Sequence, residues 1–153
     1  MKLSIKESDA RKLDLIVDII CRHFQIEAKE LFESSRKRAI ISARQYFHYL
    51  ARECTKISLA TIGLYSGKYN NIFDHATVLH SHRQVERYKS AYKRDREDIE
   101  TLELITIESL FNNGFDKDFI DYKKDLLEKI NSTITYHSLL KIMKQQVNML
   151  TNV

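Results

Sequence analysis

The sequence contains no proline, and its 153 residues include only three glycines, at positions 63, 67 and 114. Proline breaks helices and glycine weakens them, so their scarcity favours long helices with short connections over a sheet-rich fold. Apolar residues also recur at helical spacing along most of the chain, which predicts an all-α fold. The predicted helices span residues 8–25, 28–34, 36–55, 58–66, 74–94, 96–112, 116–131 and 133–151.

Other features are missing as well. Cys21 and Cys54 are too few for a disulfide framework and lie in apolar helical patterns, so we expect buried free thiols in a reducing cytoplasm. No apolar run reaches the 18 residues of a membrane span, and the N-terminus lacks the apolar segment of a signal peptide. There is no Gly-rich phosphate loop, G-x-S-x-G or C-x-x-C motif. We therefore expect no membrane partner, no cofactor and no enzymatic activity.

Charge is divided unequally along the chain. Residues 1–94 hold 18 Lys and Arg against 10 Asp and Glu, a net of +8, whereas residues 95–153 hold 7 against 11, a net of −4. A basic part can meet phosphate and an acidic part is repelled by it, although ordinary surface variation is the alternative. We predict a DNA-binding domain over 1–94 and an acidic helical tail over 95–153.

The junction at residues 92–98 has no linker composition, which allows the preceding helix to run rigidly into the tail. The first tail helix has one apolar stripe, consisting of Ile99, Leu102, Ile105 or Thr106, and Leu110. Such helices either pack on each other or on the first domain, or they form a surface for a homodimer or a protein partner. The sequence leaves both alternatives open.

The helix predicted over 36–55 has an apolar face and an opposite face with Arg44, Gln45, His48 and Arg52. This opposite face is nearly free of carboxylates and follows the basic run “SRKR” at 35–38. A polar helix face is usually only solvated, but a cationic strip of this kind is also typical of a surface that contacts phosphate.

The stretch “SLATIGLYSG” (58–67) and the helix starting at Asp74 follow the order short helix, turn, long helix. Ser58 and Asp74 are the predicted N-caps of these two helices, and Asp116 is that of a tail helix. The layout is that of a helix-turn-helix, although many helical bundles contain it too.

Three histidines in the long helix raise the question of a metal site. His80 and His82 point about 160° apart on a helical wheel, and His75 lies about 10 Å along the axis from His82. Metal–nitrogen bonds are close to 2 Å, so these side chains cannot share one ion. We expect no metal site and no catalytic residues, and we place His82 on the core side.

DNA reading fits the same helix better. The first turn of a recognition helix reaches base edges, and here it carries Asp74, His75, Ala76 and Thr77. A carboxylate accepts from cytosine, histidine bonds to bases or phosphates, and the Ala and Thr methyls suit thymine. The stripe of His80, Arg83 and Arg87 would follow the phosphate backbone.

Three stretches of this chain together resemble one family. “SRKRAIISARQYFHYLAREC” (35–54), “SLATIG” (58–63) and “DHATVLHSHRQVER” (74–87) are similar to the C-terminal DNA-binding domain, domain IV, of the bacterial replication initiator DnaA. The resemblance spans roughly residues 10–90. It implies a Trp-repressor-like helix-turn-helix domain, followed here by a small C-terminal helical region, that binds short asymmetric duplex boxes at replication origins and promoters.

The family pattern implies roles for individual residues. Arg36 would enter the minor groove, residues 74–77 would read bases in the major groove, and Arg44, Gln45, Arg52 and His80 would contact phosphates with backbone amides near 58–60. The predicted DNA-binding residues are Arg36, Arg38, Arg44, Gln45, Arg52, Lys56, Lys68, Asp74, His75, Ala76, Thr77, His80 and Arg83.

The turn before the long helix departs from the family. The family has “GGRDH” where this chain has the longer “GKYNNIFDH” (67–75), so that Phe73 replaces an arginine that contacts DNA. Lys68 can replace the charge of that arginine but not its fork geometry. Ala76 keeps the methyl group of the family's threonine and loses its hydroxyl.

We expect a cytoplasmic, nucleoid-associated protein that binds DnaA-box-like sites in double-stranded DNA. The ATPase module that precedes this domain in DnaA is absent from the sequence, so regulation of replication initiation or transcription would proceed without ATPase activity. The alternative is a protein-interaction adaptor or decoy that acts on the host initiation machinery.

Overall fold

The computed structural model of the chain describes residues 4–115 and 144–146, and all regular structure in these ranges is helical. The prediction of an all-α fold is confirmed, and no strand occurs in the described part. A single 3₁₀ turn, Ser66–Tyr69, connects the fourth and fifth helices. The helices are α1 (Glu7–Phe24), α2 (Ala28–Phe32), α3 (Arg38–Cys54), α4 (Leu59–Tyr65), α5 (His75–Ala91) and α6 (Lys93–Asn112).

Two of the predicted N-caps are confirmed. The Ser58 side chain accepts a hydrogen bond from the Thr61 N–H at 3.2 Å, and the Asp74 side chain accepts one from the Thr77 N–H at 2.7 Å. Each satisfies a backbone donor that the first turn of a helix leaves without an intrahelical partner. The predicted cap Asp116 and the helices over 116–131 and 133–151 lie outside the described residues, apart from the helical residues 144–146.

The core is built around α3, which packs against α1, α2, α4, α5 and α6. Its buried aromatic side chains make edge contacts with neighbouring helices, such as Phe47 with Phe32 of α2 at 5.1 Å between ring centroids. Burial of these rings removes a large apolar area from water, and their edge-to-face geometry adds to it. Because α3 has neighbours on several sides, little of its middle remains exposed.

Helix α5 does not continue without a break into the first tail helix, α6. It ends at Ala91, and Tyr92 adopts an extended backbone (φ −127°, ψ 120°) before α6 begins at Lys93. The predicted helix over 74–94 was therefore too long at its C-terminal end. The change of direction at Tyr92 allows α6 to turn back onto α1, α3 and α5.

The apolar face of α6 belongs to the same core as the first five helices. Of the predicted stripe, Ile99, Leu102 and Leu110 are buried, and Thr106 rather than Ile105 occupies the alternative position. Ile107 is buried as well. For this first tail helix, packing on the first domain is therefore the observed alternative, although α6 lies beyond the predicted boundary at 94/95.

A buried polar group also joins α6 to the domain. The Tyr49 hydroxyl of α3 donates to the Glu103 carboxylate of α6 at 2.5 Å, and the Lys89 ammonium of α5 lies 2.9 Å from the same carboxylate. Both charged groups are largely removed from water, so each stabilises the other only while the pair is intact. The group fixes three helices relative to one another.

The two cysteines form no disulfide, as predicted; Cys54 is buried, whereas Cys21 is only half-buried. Among the described helices, none combines the length and the apolar character that crossing a bilayer requires.

Candidate nucleic-acid interface

The turn between α4 and α5 sets the start of the long helix. The Phe73 N–H donates to the Gly63 carbonyl at 3.1 Å, which brings the backbone of the turn directly onto α4. A Cβ atom at position 63 would overlap the Phe73 carbonyl group, so only glycine fits there. This close approach places Asp74, one residue later, at the N-terminus of α5.

The first turn of α5 is open to solvent. Asp74, His75, Ala76 and Thr77 are all exposed, and the first turn inside the helix contains no acidic residue. Hydrogen bonds from Thr77 hold the pKa of the Asp74 carboxyl below its usual value, so the cap stays ionised near neutral pH. The predicted base-reading residues are thus presented together on one exposed helix end.

The remainder of α5 has an inner face toward the core and an outer face toward solvent. Val78, Ser81 and Val85 are buried against α3 and α4. On the other side, His80 and Arg83 are exposed, as predicted for residues that contact phosphates, and the Gln84 side chain lies 3.5 Å from the His80 ring nitrogen. The exposed stripe therefore continues from the first turn along the outer face.

Arg44 is turned inward rather than toward solvent. Its guanidinium donates to the Leu31 carbonyl at 3.1 Å and to the Glu33 carbonyl, and it lies 5.1 Å from the centroid of the Phe73 ring. The two carbonyls belong to the C-terminal end of α2, where helices lack intrahelical donors. The side chain predicted to contact phosphate thus caps α2 and covers Phe73.

His48 lies on the face of α3 that was predicted to be polar and cationic, and there that prediction was wrong. The imidazole is completely buried, with Nδ1 at 3.0 Å from the Ser81 hydroxyl of α5 and the ring 5.4 Å from the Phe73 centroid. A single helix viewed by itself has one buried face, but α3 is covered by α1 on one side and by α5 on the other. The packing of α5 is what buries this histidine.

At the position of the family's arginine, Phe73 therefore makes a different kind of contact. Its ring is half-buried between Arg44 and His48, in a cation–π contact with the first and an edge contact with the second. The side chain points into the domain, whereas the arginine of the family pattern reaches DNA. Phe73 therefore makes a contact within the protein where the resemblance implies a contact with DNA.

Lys68 is also engaged within the protein. Its ammonium lies 2.6 Å from the Asp14 carboxylate of α1 and 4.4 Å from the centroid of the Tyr65 ring, whose hydroxyl donates to the same carboxylate. About half of the Lys68 side chain remains exposed. The charge of Lys68, which was predicted to replace that of the family's arginine, is thus partly neutralised by Asp14.

The predicted basic residues Arg36, Arg38, Arg52 and Lys56 lie at the surface, and so does the neighbouring Lys37. Arg36 and Lys37 lie in the extended connection before α3, Arg38 begins α3, and Arg52 and Lys56 lie at and just after its end; all are exposed. Gln45 is half-buried. The Asn71 amide donates to the Phe32 carbonyl at 2.7 Å, so the connection that carries Arg36 starts beside the α4–α5 turn.

His82 faces inward, as predicted. Its Nε2 atom lies 2.7 Å from Glu53 of α3, and its ring stacks on Tyr49 with 5.1 Å between centroids. Glu86 completes a group whose ligand atoms all approach within 4.8 Å of one another. The partner Glu53 was not predicted, because a wheel of one helix does not show which residue of another helix it meets.

The burial of His48 has a consequence for stability. Desolvation, assisted by the charge of Arg44, lowers the pKa of the imidazole from 6.5 to about 3. Histidine in the unfolded chain becomes protonated below about pH 6.5, whereas the folded protein keeps it neutral. The stability that depends on a neutral His48 is therefore present above about pH 6.5 and is lost as the pH falls below it. We expect the free energy of unfolding to be about 2 kcal/mol lower at pH 5 than at pH 7.5.

Urea unfolding at both pH values measures this difference. A His48→Gln chain controls for the titration of other groups, because it has no imidazole at this position. We expect the pH 7.5 to pH 5 difference to be smaller by about 2 kcal/mol in the variant. Equal pH dependence in both chains would contradict a neutral, buried His48.

Comparison with known proteins places this site in a family. Residues 13–85 match the family model described as the bacterial dnaA protein helix-turn-helix. The chromosomal replication initiator protein DnaA of Bacteroides fragilis is 35% identical over 108 residues, which is 71% of this chain and 22% of that protein. The same protein of Synechococcus sp. is 44% identical over 72 residues, 47% of this chain and 15% of that one. The chain thus spans about a fifth of these relatives' length or less.

Proposed function

Residues 13–85 are a helix-turn-helix domain of the bacterial DnaA type, and we propose that this domain binds DnaA-box-like sites in double-stranded DNA. Binding would regulate replication initiation or transcription at the nucleoid, without ATPase activity by these residues. The observation that carries the proposal is the exposed first turn of α5, residues 74–77, fixed by the Gly63–Phe73 contact.

The distribution of exposed charge supports the proposal. Arg36 lies before α3 and Arg38 begins it, Arg52 and Lys56 lie at and just after its end, and Arg83 lies on the outer face of α5. Such groups attract the phosphate backbone whatever the sequence, whereas the first turn of α5 meets base edges. Phosphate contacts and base contacts together are what a sequence-specific duplex binder requires.

Fluorescence anisotropy with labelled duplexes tests the proposal. The chain is titrated with a duplex that carries a DnaA-type box and with a scrambled duplex of the same composition, both at a stated salt concentration. We expect the box duplex to bind at least tenfold more tightly. Equal affinity for the two duplexes would refute box-specific binding, and no affinity for either would refute DNA binding altogether.

His75 is expected to discriminate between bases. It is the first residue inside α5 and its ring is exposed. Replacing it with alanine should reduce the preference for the box duplex by about 1–3 kcal/mol, the usual value of one base-reading contact. His80→Ala is the matched control, because a phosphate contact weakens the box and the scrambled duplex alike. A His75→Ala chain with unchanged preference would contradict this role.

Arg52 is the cleaner probe of a phosphate contact, since Arg44 has structural hydrogen bonds of its own. An Arg52→Ala chain should bind all duplexes more weakly and should lower the slope of log affinity against log salt concentration by about one. Arg22→Ala, an exposed arginine at the end of α1, serves as a control that leaves the slope unchanged. Equal slopes in all three chains would argue against Arg52.

A homodimer or a protein partner through residues 95–153 is a second proposal. The face of α6 that lies in the core is not available for it, so the contact would use the outer side of α6 or residues after 115. Light scattering across a concentration series measures self-association. Capture of a host initiation protein from nuclease-treated lysate would instead favour the adaptor or decoy alternative.

A further inference from the structure

Ile72 is the most exposed large apolar side chain among the described residues. It is 61% exposed, whereas Ile41, in the first turn of α3, is 37% exposed. An isoleucine left in water forgoes the favourable free energy that burial of its apolar surface would provide. The Ile72 side chain lies in the turn directly before α5, so the question is which group covers it when the protein binds DNA.

The turn holds the residues on both sides of Ile72 in place. On one side, Asn71 donates its side-chain amide to the Phe32 carbonyl at 2.7 Å, and on the other, the Phe73 N–H donates to the Gly63 carbonyl at 3.1 Å. The Phe73 ring is held in turn beneath Arg44. Since both neighbours are anchored, the side chain between them cannot swing into the core without breaking these contacts.

Ile72 also lies next to two parts of the proposed DNA surface. It precedes the cap Asp74 by two residues, and its neighbour Asn71 contacts α2 at the point where the connection that carries Arg36 begins. Phe73, the residue that replaces the family's arginine, points inward. Ile72 is therefore the exposed apolar side chain of the turn nearest in sequence to the first turn of α5.

We propose that Ile72 is a further specificity-determining residue, which packs against the C5 methyl group of a thymine adjacent to the bases that residues 74–77 read. The inference rests on the proposed function of the domain. If Ile72 has this role, the longer turn makes an apolar contact with DNA where the family's arginine makes a polar one. The recognised site then includes one additional thymine.

The chemistry of the major groove selects thymine. An isoleucine side chain neither donates nor accepts hydrogen bonds, so covering a base amide, a carbonyl or a phosphate with it costs free energy. Among the base edges of the major groove, the thymine C5 methyl is the apolar group. A helix that enters this groove by its first turn also brings the end of the preceding turn, where Ile72 lies two residues before the cap, toward the same edges.

The experiment uses the full chain and a duplex that it selects itself from a randomised 20-base-pair pool. Each thymine of that duplex is then replaced, one at a time, by deoxyuridine, which removes only the C5 methyl group. Affinities are measured for the wild type, Ile72→Ala and the milder Ile72→Val. Tyr92→Ala is the matched control, because Tyr92 is 60% exposed at the opposite end of α5.

At one position, outside the bases assigned to residues 74–77, we expect deoxyuridine to weaken the wild type about fourfold, the equivalent of about 0.8 kcal/mol for one methyl group. Ile72→Ala should bind the thymine duplex more weakly and should not distinguish thymine from deoxyuridine there. Ile72→Val should lie between the two. Tyr92→Ala should match the wild type, and the salt dependence should be the same in all chains, because no charge is removed.

The outcomes separate this inference from the proposed function. If a selected duplex has no thymine whose methyl effect depends on Ile72, the inference is wrong although DNA binding stands. If Ile72→Ala binds more weakly but thymine and deoxyuridine remain equivalent, Ile72 contacts the sugar–phosphate backbone and the thymine assignment is overturned. A chain that enriches no sequence refutes specific binding, and this inference with it. Unchanged circular dichroism and melting temperature of the variants exclude misfolding as the cause.

Discussion

A Gly63→Ala chain is expected to lose about 3 kcal/mol of stability, at the upper end of the range for overpacked sites, together with most of its affinity for duplex DNA. The added Cβ atom would overlap the Phe73 carbonyl group, which is backbone and cannot rotate away as a side chain does. Relief of the overlap requires the turn to move off α4, and this movement breaks the hydrogen bond from the Phe73 N–H. Because Asp74 follows directly, the N-terminus of α5 is displaced as well.

Gly67→Ala provides the matched control in the same turn. A Cβ atom there meets the Ile72 side chain at 3.1 Å rather than backbone, so a small rotation of that side chain accommodates it. Urea unfolding compares the stability of the two variants, and anisotropy with the box duplex measures the binding of Gly63→Ala against the wild type. Gly67→Ala is a control for stability only, because the rotation moves Ile72. Comparable losses of stability in both variants, or full stability and binding in Gly63→Ala, would contradict the view that the close approach of Phe73 to Gly63 positions the recognition helix.

The local features of this site are predictable from the sequence because short-range chemistry decides them. Ser58 and Asp74 are caps since each lies directly before a helical apolar pattern and has a side-chain oxygen that reaches the first turn. The inner and outer faces of α5 follow from the spacing of Val78, Val85, His80 and Arg83. None of these features depends on the position of another helix.

The features that were missed depend on tertiary contacts. The inward turn of Arg44 follows from the carbonyls at the end of α2 that need donors, and the burial of His48 follows from α5 lying across α3. A basic or imidazole side chain on the polar side of a helical wheel looks the same whether water or another helix covers it. The direction of Phe73 depends in turn on both of these residues.

The boundary predicted at 94/95 between domain and tail rests on net charge rather than on packing. The change of net charge at 94/95 is a property of surface residues, whereas the extent of a folding unit depends on the buried ones. In α6, five of the six acidic residues are exposed or half-buried, while Ile99, Leu102 and Leu110 are in the core. A change in surface charge therefore falls inside one packed unit.

A chain that ends at residue 94 is consequently expected to be unfolded. It would lack four buried apolar side chains of α6, Ile99, Leu102, Ile107 and Leu110. Each buried side chain of this size contributes roughly 1.5–3 kcal/mol, so the loss of about 6–12 kcal/mol is comparable to the entire stability of a small domain, roughly 5–15 kcal/mol. The truncation also leaves Lys89 and Tyr49 without the Glu103 carboxylate.

A chain that ends at residue 115 retains α6 and should fold, with cooperative thermal unfolding by circular dichroism and binding of the box duplex. Point variants of the full chain test the contribution of α6 to stability in smaller steps. Leu102→Ala, at a buried position, should lower the free energy of unfolding by about 2–4 kcal/mol, whereas Leu104→Ala, at a half-buried position, should lower it less. If the 1–94 chain unfolds cooperatively and binds DNA as tightly as the 1–115 chain, α6 is dispensable. If it does neither while the longer chain does both, the DNA-binding unit extends to the end of α6, because its core does.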